Sequence, residues 1–387
     1  AIWTHYGFRY TASPQPDDPA LVIAKLPARD AVPASLTRVL GFLERTRIVP
    51  EGYRVGIDNL LACDDGLGAF MNGQWKIGGW PSFFPYAIWV KTHPTLFLLL
   101  LCGGAAWWRR SRGLQPHDSV PTEKRGFYPS TPFLTLIVCY LGIAMTEDLN
   151  IGHRHVLPIY PALDVLAGAA ALFWRKRTPW PRLGVLLSLG WVVGDSFAAR
   201  PDYLAYFAPQ AGGPANGYKH LVDSSIDWGM SLPALKEWLA EHNPDRREPL
   251  FLAYFGADSP QYHGIKSIRL PGFLERRGFV RYPLAPGYYA ISASLYQGVY
   301  TAAFGPWRKG YEDLYQSRMR NLLDFESTAS DPVRRAELLK QAPLETWEND
   351  FDLFDNLRFA RLCAWLRHQG EPPHRALMEV SDRAGGR

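Results

Sequence analysis

TEDLNIGHRHVLPIYPALDVLAGAAALFW, residues Thr146 to Trp174, decides how this chain is read. An acidic pair (Glu147, Asp148) and a His153-Arg154-His155 cluster stand directly before an apolar run that only Asp164 interrupts. Charge gathered at the mouth of a hydrophobic segment predicts a polar site at a membrane surface. Residues 86–108, 126–146 and 182–199 repeat the apolar half of the pattern, and with 156–174 they make four candidate transmembrane helices. About 20 apolar residues cross the hydrocarbon layer. The runs 126–146 and 156–174 meet that length, whereas 86–108 contains Lys91 and 182–199 is short.

The loops between the runs set an orientation. Arg109, Arg110, Arg112, Lys124 and Arg125 lie between the first and second runs, and Arg175, Lys176, Arg177 and Arg182 between the third and fourth. The intervening loop has Arg154 against Glu147 and Asp148. Such alternation predicts that the two basic loops are cytoplasmic, so that residues 1–85, the Thr146–His155 loop and the chain after Arg200 face outward. Seven of the 14 tryptophans fall between Trp80 and Trp191, mostly near run ends, as an aromatic belt would place them.

The whole-chain hydrophobic content of 47% is ordinary for a soluble protein, because the apolar residues are concentrated between Phe83 and Ala199. The net charge of +5 comes from short basic clusters beside apolar runs, not from one stripe, which argues against nucleic acid as a partner. Cys63, Cys102, Cys139 and Cys363 form no metal-ligand or disulfide spacing; Cys102 and Cys139 sit in apolar runs and are expected to pack there.

Flanking the helical region (86–199), residues 1–85 read as an outward loop region, broken by prolines, with a short helix after Ser35 running to Arg45. Asp64-Asp65 reads as a solvated turn. FMNGQWKIGGWPSFFPYAIWVKTHP, residues 70–94, crowds aromatics, glycines and prolines together and reads as an interfacial lead-in to the first span. Residues 200–387 change to a mixed composition. Helices are expected over Leu232–Glu241, over Pro332–Gln341 with Asp331 as cap, and over Phe351–His368. Strands are expected at Leu250–Phe255 and Tyr288–Ser292. The fold class is therefore an α-helical integral membrane part of about four spans followed by a small soluble α/β domain.

FMNGQWKIGGWPSFFPYAIWVKTHP, NIGHRHVLPIYP, DYLAYFAPQAGGPANGYKHLVDSSIDWG, LFLAYFGADSPQYHG and GYYAISASLYQGVY occur here in that order. Together they resemble the C-terminal part of bacterial membrane glycosyltransferases of the family 39 type, relatives of the dolichyl-phosphate-mannose–protein mannosyltransferases. The resemblance covers roughly residues 1 to 300. It implies a GT-C architecture in the bacterial inner membrane, with the active site on the outer side. The reaction would move a sugar from a polyprenyl-phosphate donor to a glycan, lipid or protein acceptor. The family's catalytic carboxylate lies in the first outer loop, after a first span; no span precedes Phe83, so the resemblance implies a C-terminal fragment that lacks this group. The chain departs from the family where Met230-Ser231 follows Asp227-Trp228-Gly229 in place of Gln-Asp, and where His93 interrupts a Lys-Thr-Pro run.

The donor phosphate needs cations at the outer membrane surface, and arginine is the best bidentate partner. Arg154 with His153 and His155 is the leading candidate set, ahead of the alternative that Arg154 merely reaches headgroups or pairs with Glu147 or Asp148. Lys91 is a weaker candidate, since snorkelling explains it better. Asp223, Asp227 and Trp228 form a sugar-binding candidate set, although turn formation is the stronger explanation of the two carboxylates. Asp164 would cost about 2.5–3.5 kcal/mol facing lipid and is expected to face protein or water. A divalent metal is a candidate cofactor with no ligand set assigned. The rivals are a non-catalytic, membrane-anchored module that binds a glycan or a partner, and a transporter fragment, for which no inverted pairing of broken spans is visible.

Overall fold

The apolar run from Phe83 to Trp108 does not form one rod. Phe83–Lys91 (α1) and Pro94–Ser111 (α2) are separate helices whose axes differ by 102°. Pro94 has no N–H to continue α1 and steers His93 out of helical geometry. The groups freed at the break find partners: Gln210 Nε2 donates to the carbonyls of Trp89 (2.8 Å) and Thr92 (2.9 Å), and His93 Nδ1 accepts from the Thr95 N–H at 3.2 Å. The expected straight span over 86–108 is thus corrected to a bent pair.

The computed structural model describes residues 2–5, 7–11, 41–43, 45–54, 56, 68–111, 130–175, 179–256, 258–272, 285–342 and 344–369. Cys63, Asp64-Asp65, Ser35, the start of the 126–146 run and the loop cations Arg112, Lys124, Arg125, Lys176 and Arg177 lie outside the described residues.

The chain falls into two compact units. The first comprises residues 1–69, 77–80 and 147–150. There Trp3 Nε1 donates to the Ile48 carbonyl at 2.8 Å, and Asn150 Oδ1 accepts from the Trp80 N–H at 2.7 Å. Gly79, at φ 60°, lies so near Asn150 that any Cβ would overlap it.

The second unit holds the remaining helices and the main sheet. Thr131–Ala144 (α3) begins with Pro132 in its first turn, where the missing N–H costs nothing. Pro158 prevents a regular start to the 156–174 run. That segment is a 3-10 stretch, His153–Ile159, then the α-helix Tyr160–Ala167 (α4), then a second 3-10 stretch, Gly168–Arg175. Trp180–Ala198 (α5) completes the helical layer. The helix α4 packs on α2 and α3, and Gly103 permits close approach: a Cβ there would stand 2.9 Å from the Leu166 carbonyl. Among the described residues no single helix is long and apolar enough to cross a membrane; α1 with α2 meets the criterion only as a pair. Cys102 and Cys139 are exposed, not packed as expected, while Cys363 is buried.

Asn72-Gly73, both at positive φ, turn Gly68–Met71 (β1) into Gln74–Ile77 (β2), a hairpin where the sequence reads as interfacial loop. The three-stranded sheet has Leu250–Ala253 (β3) at its centre, parallel to Ile268–Arg269 (β4) on one side and Tyr288–Ile291 (β5) on the other. All four β3 residues are buried, as a parallel strand covered on both faces must be. One face packs on Leu232–His242 (α6) through Leu232, Leu252 and Ile265. The other packs on the long helix Leu344–Gln369 (α9), where Phe359, Leu362 and Leu366 meet Phe251, Phe255 and Leu270. Lys309–Ser327 (α7) runs beside α9, tied by Glu312–Arg361 (3.0 Å) and Arg318–Asp350 (2.6 Å). Pro332–Gln341 (α8) follows Asp331, whose carboxylate accepts from the N–H groups of Val333 and Arg334. The domain is α/β, as the alternation of strands and helices implies.

Candidate functional site

Two segments build the site: the 3-10 stretch after Gly152 and the turn Asp223–Gly229. Asp223 adopts φ 59°, a left-handed conformation that aspartate tolerates because its side chain bonds nearby backbone. Its carboxylate accepts from the Ser224 N–H at 2.5 Å and from the Tyr300 hydroxyl, and its own N–H donates to Ser294 Oγ at 2.7 Å. Asp227 accepts from the Gly229 N–H at 2.7 Å and from Ser292 Oγ–H. Ser292 Oγ in turn accepts from the Phe255 N–H at 2.9 Å. Both carboxylates therefore hold the turn against the C-terminal ends of β3 and β5. Gly229, at φ 81°, closes it: a Cβ there would lie 2.7 Å from the Gly256 Cα.

Burial pushes both carboxyl groups up. For Asp223 the Tyr300 hydroxyl, the Ser224 N–H and, more weakly, the Arg154 charge oppose that shift. For Asp227 the opposing donors are the Gly229 N–H, Ser292, and the N–H groups of Met230 and Trp228. Burial, then the Asp223 charge, drives the Tyr300 phenol above its usual range. Tyr300 is thus a donor to Asp223.

The same turn reaches the helical layer. Ser224 Oγ donates to the Ile151 carbonyl at 2.8 Å, and Ser225 Oγ accepts from the His153 N–H at 3.1 Å. Gly152 is required here, because a Cβ would collide with Ser224 Oγ. Lys91, at the end of α1, donates to the carbonyls of Leu204 (2.7 Å), Tyr206 (2.5 Å) and Ser225 (2.7 Å), and its ammonium lies 4.3 Å from the Phe207 ring centre. Three N–H donors on three carbonyls are the full complement of an ammonium.

His153 Nε2 shares a hydrogen bond with the Tyr160 hydroxyl at 2.7 Å, and that hydroxyl also meets Thr92 Oγ1. Burial first, then the Lys91 charge, lowers the His153 imidazole to about 4. It is neutral at physiological pH. His155 sets its ring edge-on to Phe84 at 6.3 Å.

Arg154 is exposed, and its guanidinium lies 5.2 Å over the half-exposed Trp228 ring. Of the residues expected from the sequence, the structure brings Arg154, Trp228, Asp223 and Asp227 to one turn. It sets His153 and Lys91 behind them, with Lys91's three donors committed to backbone. The carboxylates act as acceptors within the turn. Arg154, exposed over the Trp228 ring, is the part open to a ligand: a planar cation able to bind a phosphate or carboxylate through two N–H groups. Sequence reasoning missed Tyr300, Ser292, Ser294, Tyr160 and Thr92. Tyr300 lies inside GYYAISASLYQGVY, but its partner is 77 residues away and no local spacing signals the pair.

Among the described residues no three His, Cys, Asp or Glu side chains converge as metal ligands. Comparison with family models, with curated proteins and with solved structures gives no match, so the site rests on its own geometry.

Proposed function

We propose that the chain is the C-terminal portion of a bacterial inner-membrane glycosyltransferase of GT-C type, using a polyprenyl-phosphate sugar donor and an extracytoplasmic acceptor. The observation that carries the reading is Arg154: an exposed arginine at the end of an apolar helical layer, stacked on Trp228 and near the Asp223 carboxyl. In this reading Arg154 receives the donor phosphate, flanked by His153 and His155. Lys91 and neutral His153 fix the segment that presents it, and the Trp228 ring lies beneath its guanidinium.

The membrane part of the reading is supported by where large apolar side chains are exposed. Leu101 (71%), Val138 (68%), Leu187 (65%) and Phe197 (72%) stand out from α2, α3 and α5. Water penalises such surface by roughly 25 cal/mol per Å2, and lipid does not. In this reading α1 and α2 make the first span only together, bent by 102° at the break after Lys91. The ordered motifs of the sequence add the donor and reaction class.

The alternative is a membrane-anchored module that binds a glycan or a partner without catalysing transfer. It is favoured by the commitment of Asp223 and Asp227 to turn hydrogen bonds, which leaves neither as a free general base. The test is binding of undecaprenyl phosphate, against undecaprenol, to the chain in lipid nanodiscs. The reading expects a preference for the phosphate that Arg154→Ala removes and Arg154→Lys partly keeps. Equal binding of the two lipids, or no change in Arg154→Ala, overturns it.

A further inference from the structure

Two carboxylates lie on the apolar helices, and the fold treats them differently. Asp195 on α5 accepts from the Tyr206 hydroxyl at 2.6 Å and lies 3.7 Å from His93 Nε2. Asp164 on α4 is exposed, and among the described residues no side chain donates to it or forms an ion pair with it. Tyr160, one turn before, cannot serve, because its hydroxyl is engaged by Thr92 and His153.

Asp164 belongs to a stripe. Leu157, Pro161, Asp164, Val165, Gly168 and Ala171 are all exposed, while Val156, Ala162, Ala167 and Ala170 are buried against the layer. The exposed positions step by three or four residues, the spacing of one helical face. Gly168 and Ala171 are small enough for another backbone to approach, as at helix contacts within membranes. An ionised carboxylate in an otherwise apolar face is costly against lipid and calls for a donor.

We propose that this face seats a transmembrane helix of a partner protein, otherwise apolar and carrying one Lys or Arg level with Asp164. A second copy of this chain does not fit. Pairing the face with itself would bring two Asp164 carboxylates together, and like charges repel. A purely apolar helix would leave Asp164 unpaired. Charge complementarity therefore selects a basic occupant, with the small residues setting a close contact. The inference rests on the membrane reading of the preceding section.

The test uses the full chain reconstituted in phosphatidylcholine vesicles, with energy transfer to a synthetic Leu/Ala transmembrane peptide bearing one central Lys. An otherwise identical peptide with Leu in that position is the control. The Lys peptide is expected to associate about tenfold more tightly than the control, an interhelical polar contact being worth about 1–2 kcal/mol. Asp164→Leu should abolish the preference, and Asp164→Glu should keep it. Insertion of the chain with equal association of the two peptides overturns this inference alone, as does self-association that outcompetes the Lys peptide. Failure of the chain to insert overturns the membrane reading and the inference with it.

Discussion

Acid should weaken this fold through His153. An exposed imidazole titrates near 6.5, whereas burial and the neighbouring Lys91 charge hold His153 at about 4 in the folded chain. Between those values the unfolded chain carries the proton and the folded one does not. Stability therefore falls as pH drops from about 6.5 to about 4, and the loss is complete below the lower value. At 1.36 kcal/mol per pH unit, the interval from about 6.5 to about 4 corresponds to about 3 kcal/mol. Asp223 and Asp227 act in the opposite sense. Their raised pKa values make the folded state bind protons more readily, so acid favours it through them. The comparison must accordingly be between wild type and His153→Gln, which keeps both carboxylates and a polar partner for Tyr160. Denaturant midpoints in detergent, measured from pH 7 to pH 4, should show wild type losing about 3 kcal/mol more than the variant. Lys91→Met should move the His153 titration upward, read from its ring proton shifts. A His153 that titrates near 6.5 in the folded chain, or parallel pH profiles for the two proteins, would refute the reasoning.

Three further outcomes follow from single contacts. Gly229→Ala places a methyl against Gly256 and Tyr254 at a positive φ and should cost about 1–3 kcal/mol, seen as a lower thermal midpoint. Tyr300→Phe keeps the stacking on Phe255 at 5.4 Å but removes a donor from buried Asp223, so a loss of about 1–3 kcal/mol is expected in the same assay. Asp331→Ala deletes the cap of α8 and should cost about 1 kcal/mol, whereas Asp331→Asn should cost little.

Local chemistry made the sheet domain legible. Asp331 before Pro332 marks α8, and the short apolar runs at Leu250 and Tyr288 are β3 and β5. The hairpin at residues 68–77 carries Asn72-Gly73, a strong turn signal, but aromatic crowding around it reads equally as membrane interface. The 102° break at Thr92-His93 was half-visible in Pro94. What the sequence could not supply is Gln210, which satisfies the freed carbonyls from 118 residues away. The site divides in the same manner. Arg154, Trp228 and the two aspartates stand out by residue type and neighbours, and the preference for a turn role in Asp223 and Asp227 matches the N–H donors they face. Lys91 looked like a snorkelling cation, yet its partners are three backbone carbonyls, which carry no sequence signature. Long-range pairings such as Tyr300–Asp223 join side chains 77 residues apart and leave no local pattern to read.

The central claim is that the apolar faces of α2 and α3 lie in lipid while the turn bearing Trp228 and the sheet domain stay in water. Cys102 and Cys139 are exposed on those faces, and Tyr262 is 85% exposed on the sheet domain. The decisive measurement is labelling by a water-soluble maleimide of the chain in intact vesicles, with and without Tyr262→Cys. The account predicts that Tyr262→Cys adds a rapidly labelled site while Cys102 and Cys139 stay unlabelled, because a water-soluble reagent does not enter hydrocarbon. Labelling of Cys102 and Cys139 as fast as the engineered site would contradict it.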